Sequence, residues 1–423
     1  MRLLLLRSLL VLFAVCLSLP LVEIALRLTP APAAPSISEE PTDSLWADPE
    51  WRGPPPSVFQ PDAAIGFTYA PHVQSDIKVA EHQGGAFRFR TNDYGLRRDD
   101  EVAIPKPAGM FRVLVLGDSQ TSGYGTNEET YPGHLETLAQ ERAGGQLVEV
   151  VNGGVDGYSP QQAYLWLRKY GVPLQPDLVI LAVYAGNDVA DLVQHTVDAA
   201  VIDDAAGLLG PLRTPLAWLG LHSELYKRTA PLVQGTLPDA LDRLGIVKRP
   251  PPLVPQDPLV RLLRECHGCW FQTIKQALRV RTEPAATEVA YRRMETLFRL
   301  LQANAAEHGG RVAVLLIPTK PQVEPRDEAG ALGRATRLLE LTPEDLDYDN
   351  VAYERIRSAA AAANVPLIDP LADLRETAER GAAEKRRLYY RRDWHLNPNG
   401  NQALAVALDR ALTAGGMVPW RAP

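Results

Sequence analysis

Short unbroken apolar runs, separated by longer amphipathic stretches, set the rhythm of most of this chain. Runs at 112–116, 147–151, 178–184, 312–317 and 365–368 are each four to seven residues long. Punctuating residues bound them: Gly117 after the first, Asn152-Gly153-Gly154 after the second, Pro176-Asp177 before the third, Pro318 and Pro370 after the last two. Continuous apolar strands of this kind belong to a parallel sheet covered on both faces, because a sheet with one wet face alternates instead. Helical periodicity fills the intervals at 132–142, 160–170, 287–307 and 402–412. Ser159 stands as N-cap ahead of Pro160, and Ala290, Met294, Leu297 and Leu301 form one apolar stripe. The expected class is therefore α/β with a five-stranded parallel sheet. Upstream, Phe87, Phe89 and Thr91 alternate with Arg88, Arg90 and Asn92, which predicts a half-buried strand ending in a turn at Asn92-Asp93.

Two regions break the rhythm. Arg2 and Arg7 precede an apolar run, and residues 8–26 would make a helix of about 28 Å, close to the thickness of a hydrocarbon core. We expect a signal anchor over residues 1–28 that spans the membrane and places the rest outside the cytoplasm. A cleaved signal peptide is the alternative, although Ala31-Pro32-Ala33 lies well past the apolar run. A buried core helix is the third reading, weakened by the lack of a polar face. Residues 29–61 are rich in proline and are expected to form an extended, stiff linker. Residues 62–110 make an N-terminal strand region packed on the core, and 111–423 make the main domain. A second proline-rich stretch falls inside 196–284, read as a helical insertion between the third and fourth strands.

Composition narrows the function classes. The 423 residues carry 44 Lys and Arg against 51 Asp and Glu, a net charge of −7, which argues against nucleic acid as the partner. Three cysteines cannot make a disulfide framework. The proline count, 36 against 31 Gly, has to be housed in linkers and loops, and the two irregular regions take a large share of it.

Ligands of open parallel sheets bind beyond the carboxyl ends of the strands, so the residues that follow each strand matter most. They are Gly117-Asp118-Ser119, then Asn152 to Ser159 with Gly157 among them, then Gly186-Asn187-Asp188, and finally Asp393-Trp394-His395. Together they supply a hydroxyl, approachable backbone, an amide and an acid–imidazole pair. The segments VLVLGDSQT, VEVVNGGVDGYS, LVILAVYAGND and DWHLNPNG resemble, in order, the four sequence blocks of the SGNH (GDSL-type) hydrolases.

That resemblance implies a flavodoxin-like three-layer α/β/α fold and serine-based ester chemistry with no cofactor. It also implies roles for particular residues: Ser119 as nucleophile, His395 as general base, and Asp393 as the acid orienting the imidazole. The oxyanion hole would be the Ser119 and Gly157 backbone N–H groups with the Asn187 side-chain amide, and Asp118 would support the nucleophile turn. The spacing Asp393-x-His395 is one residue shorter than the commonest form of the last block. It resembles the branch that includes alginate O-acetylation proteins and other exported polysaccharide-modifying enzymes. The expected substrate is an acylated glycan or small ester, and the expected activity an esterase. An O-acyltransferase with the same triad is the alternative, and a non-catalytic glycan-binding or assembly protein a second.

Other motifs are excluded. Gly117 to Gly125 lacks the Lys-Ser/Thr of a phosphate loop, and position 121 is Thr where the G-x-S-x-G elbow needs Gly. Cys266 and Cys269 have metal-site spacing, but no second cysteine pair completes a zinc site, so a local disulfide is expected. Lys320, Arg391 and Arg392 are read as solvated charges that alternatively flank an anionic substrate, and Tyr389 and Tyr390 as pocket wall or core.

Overall fold

The computed structural model describes residues 55–62, 64–194, 284–324, 348–384, 386–390 and 395–421. The expected anchor at 1–28, the helical insertion, and the pair Cys266 and Cys269 lie outside the described residues. Among the described residues no helix is long and apolar enough to cross a membrane.

The centre of the fold is a sheet of five parallel strands: β5 (Phe111–Leu116), β6 (Val148–Asn152), β7 (Leu178–Tyr184), β8 (Arg311–Ile317) and β9 (Leu367–Ile368). The lateral order is β6-β5-β7-β8-β9, the doubly wound order in which the chain leaves the first core strand to one side and then returns to the other. Four of the five strands coincide with the predicted runs to within one residue at each end. The fifth is shorter than the expected 365–368, because only Leu367 and Ile368 pair with β8.

The apolar strands are explained by the layers above and below them. Val113, Val115, Ile180, Ala182, Leu315 and Ile317 point to one face, where they meet α2 (Tyr131–Arg142) and α9 (Pro398–Ala414) through Leu135, Leu404 and Leu408. α8 (Leu371–Ala382) packs beside α9 on that side. The intervening residues Leu114, Leu116, Val179 and Leu181 are equally buried. The other helical layer contains α3 (Pro160–Trp166), α4 (Asp188–Gln194), α5 (Pro284–Glu307) and α7 (Tyr348–Ala362), with α5 in contact with each of the other three. This is a three-layer α/β/α arrangement, and neither α7 nor α8 was anticipated from the sequence.

Local chemistry accounts for where the helices begin. Thr130, Ser159 and Asn397 accept from the backbone N–H of Gly133, Gln162 and Gly400 as N-caps, and a proline follows each within the first turn. The predicted helix 160–170 is α-helical only to Trp166 and continues as a π-type turn over Leu167–Gly171. Arg112, the first residue of the first apolar run, is completely buried rather than peripheral. The ladder places it opposite Glu149 of β6, with which it pairs, and its guanidinium also donates to the carbonyls of Leu174 and Ala103.

Two antiparallel hairpins precede the sheet: β1 (Phe59–Asp62) with β2 (Gly66–Tyr69), and β3 (Gln74–Lys78) with β4 (Ala86–Arg90). The linker expected over 29–61 therefore ends earlier. Val58 is fully buried and Phe59 packs on Phe67 and Tyr69, so this end of the proline-rich stretch is folded. In β4, Phe87 and Phe89 face inward as the alternation predicts. Asn92 departs from it and is buried, because its Oδ1 accepts from the N–H of Tyr94 and Leu96 while its Nδ2 donates to Asp100 O. Gly95 completes the turn at φ +73°, with the Tyr69 carbonyl 2.5 Å from where a Cβ would stand.

Candidate active site

At the carboxyl end of β5, Gly117 and Asp118 lead into α1 (Ser119–Ser122), a single helical turn. Asp118 caps it by accepting from the Gln120 N–H at 2.9 Å. Ser119 is the first residue of that turn, so its own N–H has no intrahelical acceptor. Around it Gln120, Thr121 and Ser122 are buried, while Ser119 is half-exposed. Thr121 Oγ1 and Tyr131 OH lie 2.9 Å apart, and Asn152 Nδ2 donates to Thr121 O, which tie the turn to α2 and β6.

His395 comes to Ser119 across 276 residues, with its Nε2 2.7 Å from Ser119 Oγ. Backbone contacts fix its position. The His395 carbonyl accepts from the Tyr390 N–H at 3.0 Å, and the Leu396 N–H donates to Gln120 Oε1 at 3.2 Å. Tyr389 and Leu396 form an antiparallel bridge. Asp393, the expected third member of the triad, lies outside the described residues, as do Arg391 and Arg392.

The loop after β6 delivers Gly157, which adopts φ +78°, a conformation that a side chain would strain. Gly154 serves a different purpose: a Cβ there would lie 2.4 Å from Ser122 N and 2.7 Å from Thr121 C, so the loop rests directly on the backbone of α1. After β7, Asn187 donates from Nδ2 to Asp191 Oδ2 at 2.8 Å.

Behind these groups sits a buried acidic cluster. Burial pushes the Asp118 carboxyl up to about 6, opposed by the Gln120 N–H and the His395 charge. Burial also raises Asp188 well above the ordinary carboxylate range, with Asp118 and Asp191 adding repulsion. One oxygen each of Asp118, Asn187 and Asp188 is buried without a hydrogen-bond partner. The motif spacing gave no sign of this.

Other expectations resolve differently. Lys320 is not solvated: it is 1% exposed at the start of α6 (Lys320–Val323), next to Glu324. A buried lysine held this way is internal structure, which removes it from the charges expected to meet an anionic substrate. Tyr389 and Tyr390 are both buried, donating to Pro318 O and Tyr124 O. Tyr124 itself, which no motif marked, lies with its ring centroid 3.9 Å from that of His395. Among the described residues one trio with metal-ligand atoms comes together, His72, Asp93 and Glu101. It is exposed, His72 pairs with Asp93, and Glu101 accepts from the Asp93 N–H.

A nucleophile-type serine on a strand-to-helix turn, an imidazole on its hydroxyl and a loop resting on that turn that carries a glycine at positive φ define an acyl-transfer site on a parallel sheet. The sequence profile of the GDSL-like lipase/acylhydrolase family matches residues 115–403, and the chain belongs to that family. It is accordingly an ester-hydrolysing enzyme of the acylhydrolase kind. No curated protein matches the chain at a significant level. Similar solved structures include LAE5, an alpha/beta hydrolase enzyme from the metagenome of Lake Arreo, Spain, at 16% identity, with a TM-score of 0.36 over 72% of this chain and 95% of that one. Another is Axe2, an acetylxylan esterase from Geobacillus stearothermophilus, at 13% identity and a TM-score of 0.38 over 77% and 100%. The acetyl xylan esterase AlAXEase shares 13% identity, with a TM-score of 0.36 over 70% and 98%.

Proposed function

We propose that this protein is a membrane-tethered, extracytoplasmic serine esterase that removes ester-linked acyl groups, O-acetyl foremost, from glycans. The observation that carries the reading is the 2.7 Å approach of His395 Nε2 to Ser119 Oγ at the carboxyl end of β5. A serine hydroxyl becomes nucleophilic only when a hydrogen-bonded base can take its proton. Here Ser119 Oγ attacks the ester carbonyl carbon as His395 Nε2 accepts the hydroxyl proton. The carbonyl oxygen, now negative, accepts from the Ser119 N–H, the Gly157 N–H and the Asn187 side-chain amide. His395 then returns the proton to the departing sugar oxygen, leaving an acyl-Ser119 intermediate. Water, deprotonated by the same imidazole, cleaves it to free acid. Asp393 orients the imidazole and offsets its transient charge.

The half-exposed setting of Ser119 and His395 supports access by a bulky ester such as an acetylated polysaccharide. The Asp393-x-His395 spacing, similar to that of exported polysaccharide-modifying enzymes, supports the glycan assignment. The apolar segment at 8–26 supports tethering.

Purified full-length protein is expected to release p-nitrophenol from p-nitrophenyl acetate and free acetate from an acetylated polysaccharide. Ser119→Ala is expected to lower turnover by at least about 10³-fold. Equal turnover by the two proteins would refute the nucleophile. Transfer of the acetyl group to added glycan, with no free acetate, would replace hydrolysis by acyl transfer. Cell fractionation tests the location: recovery of the full chain from the soluble cytoplasm would refute tethering.

A further inference from the structure

Tyr124 connects three parts of the site. Its ring is 6% exposed and stands 3.9 Å, centroid to centroid, from the His395 ring, with the two planes at 59°. Its hydroxyl donates to Asp156 Oδ2 at 3.0 Å, and its carbonyl accepts from Tyr390 OH at 2.7 Å. Tyr390 in turn donates its N–H to the His395 carbonyl. The ring is thus held at its phenol end and through its main chain, on a frame that also holds the imidazole.

Asp156 is secured from the other side by the N-terminal hairpin. Tyr69 OH donates to Asp156 Oδ1 at 2.7 Å, accepts from the Asp156 N–H at 3.0 Å, and lies 2.8 Å from Ser122 Oγ. A phenol has one proton and two lone pairs, and this arrangement uses all three. Burial, with the Asp156 charge behind it, pushes the Tyr69 phenol well above its ordinary range, which keeps it a donor. Asp156 is the residue immediately before Gly157, so the same contacts fix the backbone donor of the oxyanion hole.

This inference rests on the esterase reading given above. We propose that Tyr124 is a positioning residue whose ring, backed by the Asp156 carboxylate, stabilises the protonated form of His395 during acyl transfer. When His395 takes the Ser119 proton, a positive imidazolium forms well within the ~6 Å range over which an aromatic ring attracts a cation. The hydrogen bond from the phenol to a carboxylate adds electron density to the ring, which strengthens the attraction. Ser119 Oγ and the Asp118 carboxyl, both at α1, also act on the imidazole. Tyr124 adds a ring-to-ring contact to these polar ones.

The test is the pH dependence of p-nitrophenyl acetate hydrolysis by the full chain. The acid limb of kcat/KM reports protonation of His395 in the free enzyme. A ring that favours the cation raises that limb, so its removal lowers it. Tyr124→Leu is expected to move the limb down by about half a pH unit and to cut kcat by about 3-fold, with KM changed by less than about 2-fold. Tyr124→Phe keeps the ring and is expected to retain the limb and most of kcat. Tyr124→Met provides a second variant without the ring should the Leu protein fail to fold. Ring-less variants whose acid limb coincides with wild type would overturn the proposal, even with reduced kcat. So would a Phe variant as impaired as the Leu variant. Ser119→Ala separates the two levels. If it retains full turnover, the esterase reading fails; if it is inactive and the limb is unmoved in Tyr124→Leu, only the role of Tyr124 fails.

Discussion

Asp118 shows what a motif residue costs the fold that displays it. Its Oδ1 caps α1, its Oδ2 has no partner, and burial raises its carboxyl to about 6. The unfolded chain releases that proton near pH ~4, so between about pH 4 and 6 the folded state binds more protons than the unfolded one. Stability therefore falls as pH rises through that window and stays lower above it. Asp118→Asn keeps an acceptor for the Gln120 N–H and removes the buried charge. It is expected to stabilise the protein at pH 8 by on the order of 1–3 kcal/mol and to give no gain at pH 4. Thermal melts of both proteins at the two pH values check this, and an equal difference at both would sink the idea. At this scale Ser119 and His395 were legible because their neighbours repeat a known pattern. Tyr124, Asp156 and Tyr69 were not, since three residues from separate segments share a network without any regular spacing. Lys320 and Asn92 misled for a related reason: a polar residue is read as solvated unless the fold that buries it is visible.

Elements were legible in proportion to their burial on both faces. β5, β7 and β8 lie inside the sheet, and their unbroken apolar runs gave their limits almost to the residue. β9 is an edge strand with two paired residues and had less pattern to offer. β1 was hidden by Pro61, which a strand at the margin of a two-stranded sheet accommodates. The contact between the β6–α3 loop and α1 gives a sharper test of packing. Gly154→Ala forces a Cβ against the backbone of Thr121 and Ser122, so it is expected to displace the turn that carries Ser119 and to cut kcat by about 10²-fold or more. Gly157→Ala meets no atom nearer than Phe67 Cζ at 3.8 Å, and its cost is the strain of positive φ, about 1–2 kcal/mol of stability. Steady-state kinetics and denaturant melts of the two variants distinguish the cases. A Gly154→Ala enzyme with wild-type kcat would show that α1 does not depend on this contact.

The described part of the molecule is more than a parallel sheet with loops. The hairpins at 59–90 and the turn that follows carry Tyr69 and Arg97 into the body of the fold. Arg97 is 2% exposed, donates to Gly125 O and Asn127 Oδ1, and lies 4.2 Å from the centre of the Phe89 ring. Arg98 donates to Val150 O and pairs with Glu136. A chain beginning at residue 55 is therefore expected to fold and hydrolyse p-nitrophenyl acetate. One beginning at residue 111 leaves Asp156, Asn127 and Glu136 without these partners and is expected to lose cooperative melting and activity. Circular dichroism melts and an esterase assay on both chains decide it. A fully active shorter chain would make the hairpins dispensable. This dependence was hard to foresee, because the hairpins' own alternation reports only that one of their faces is covered.

The bridge between Tyr389 and Leu396, with the Tyr390 N–H on the His395 carbonyl, has a consequence for how such enzymes diverge. The two anchor points clamp the chain on either side of residues 391–394, and His395 belongs to the clamp. Its location is inherited from the scaffold instead of from the number of residues preceding it. Evolution can thus add or delete a residue upstream of the imidazole without dislodging it from Ser119, so that branches of the family can differ in how the acid approaches while the base stays in place.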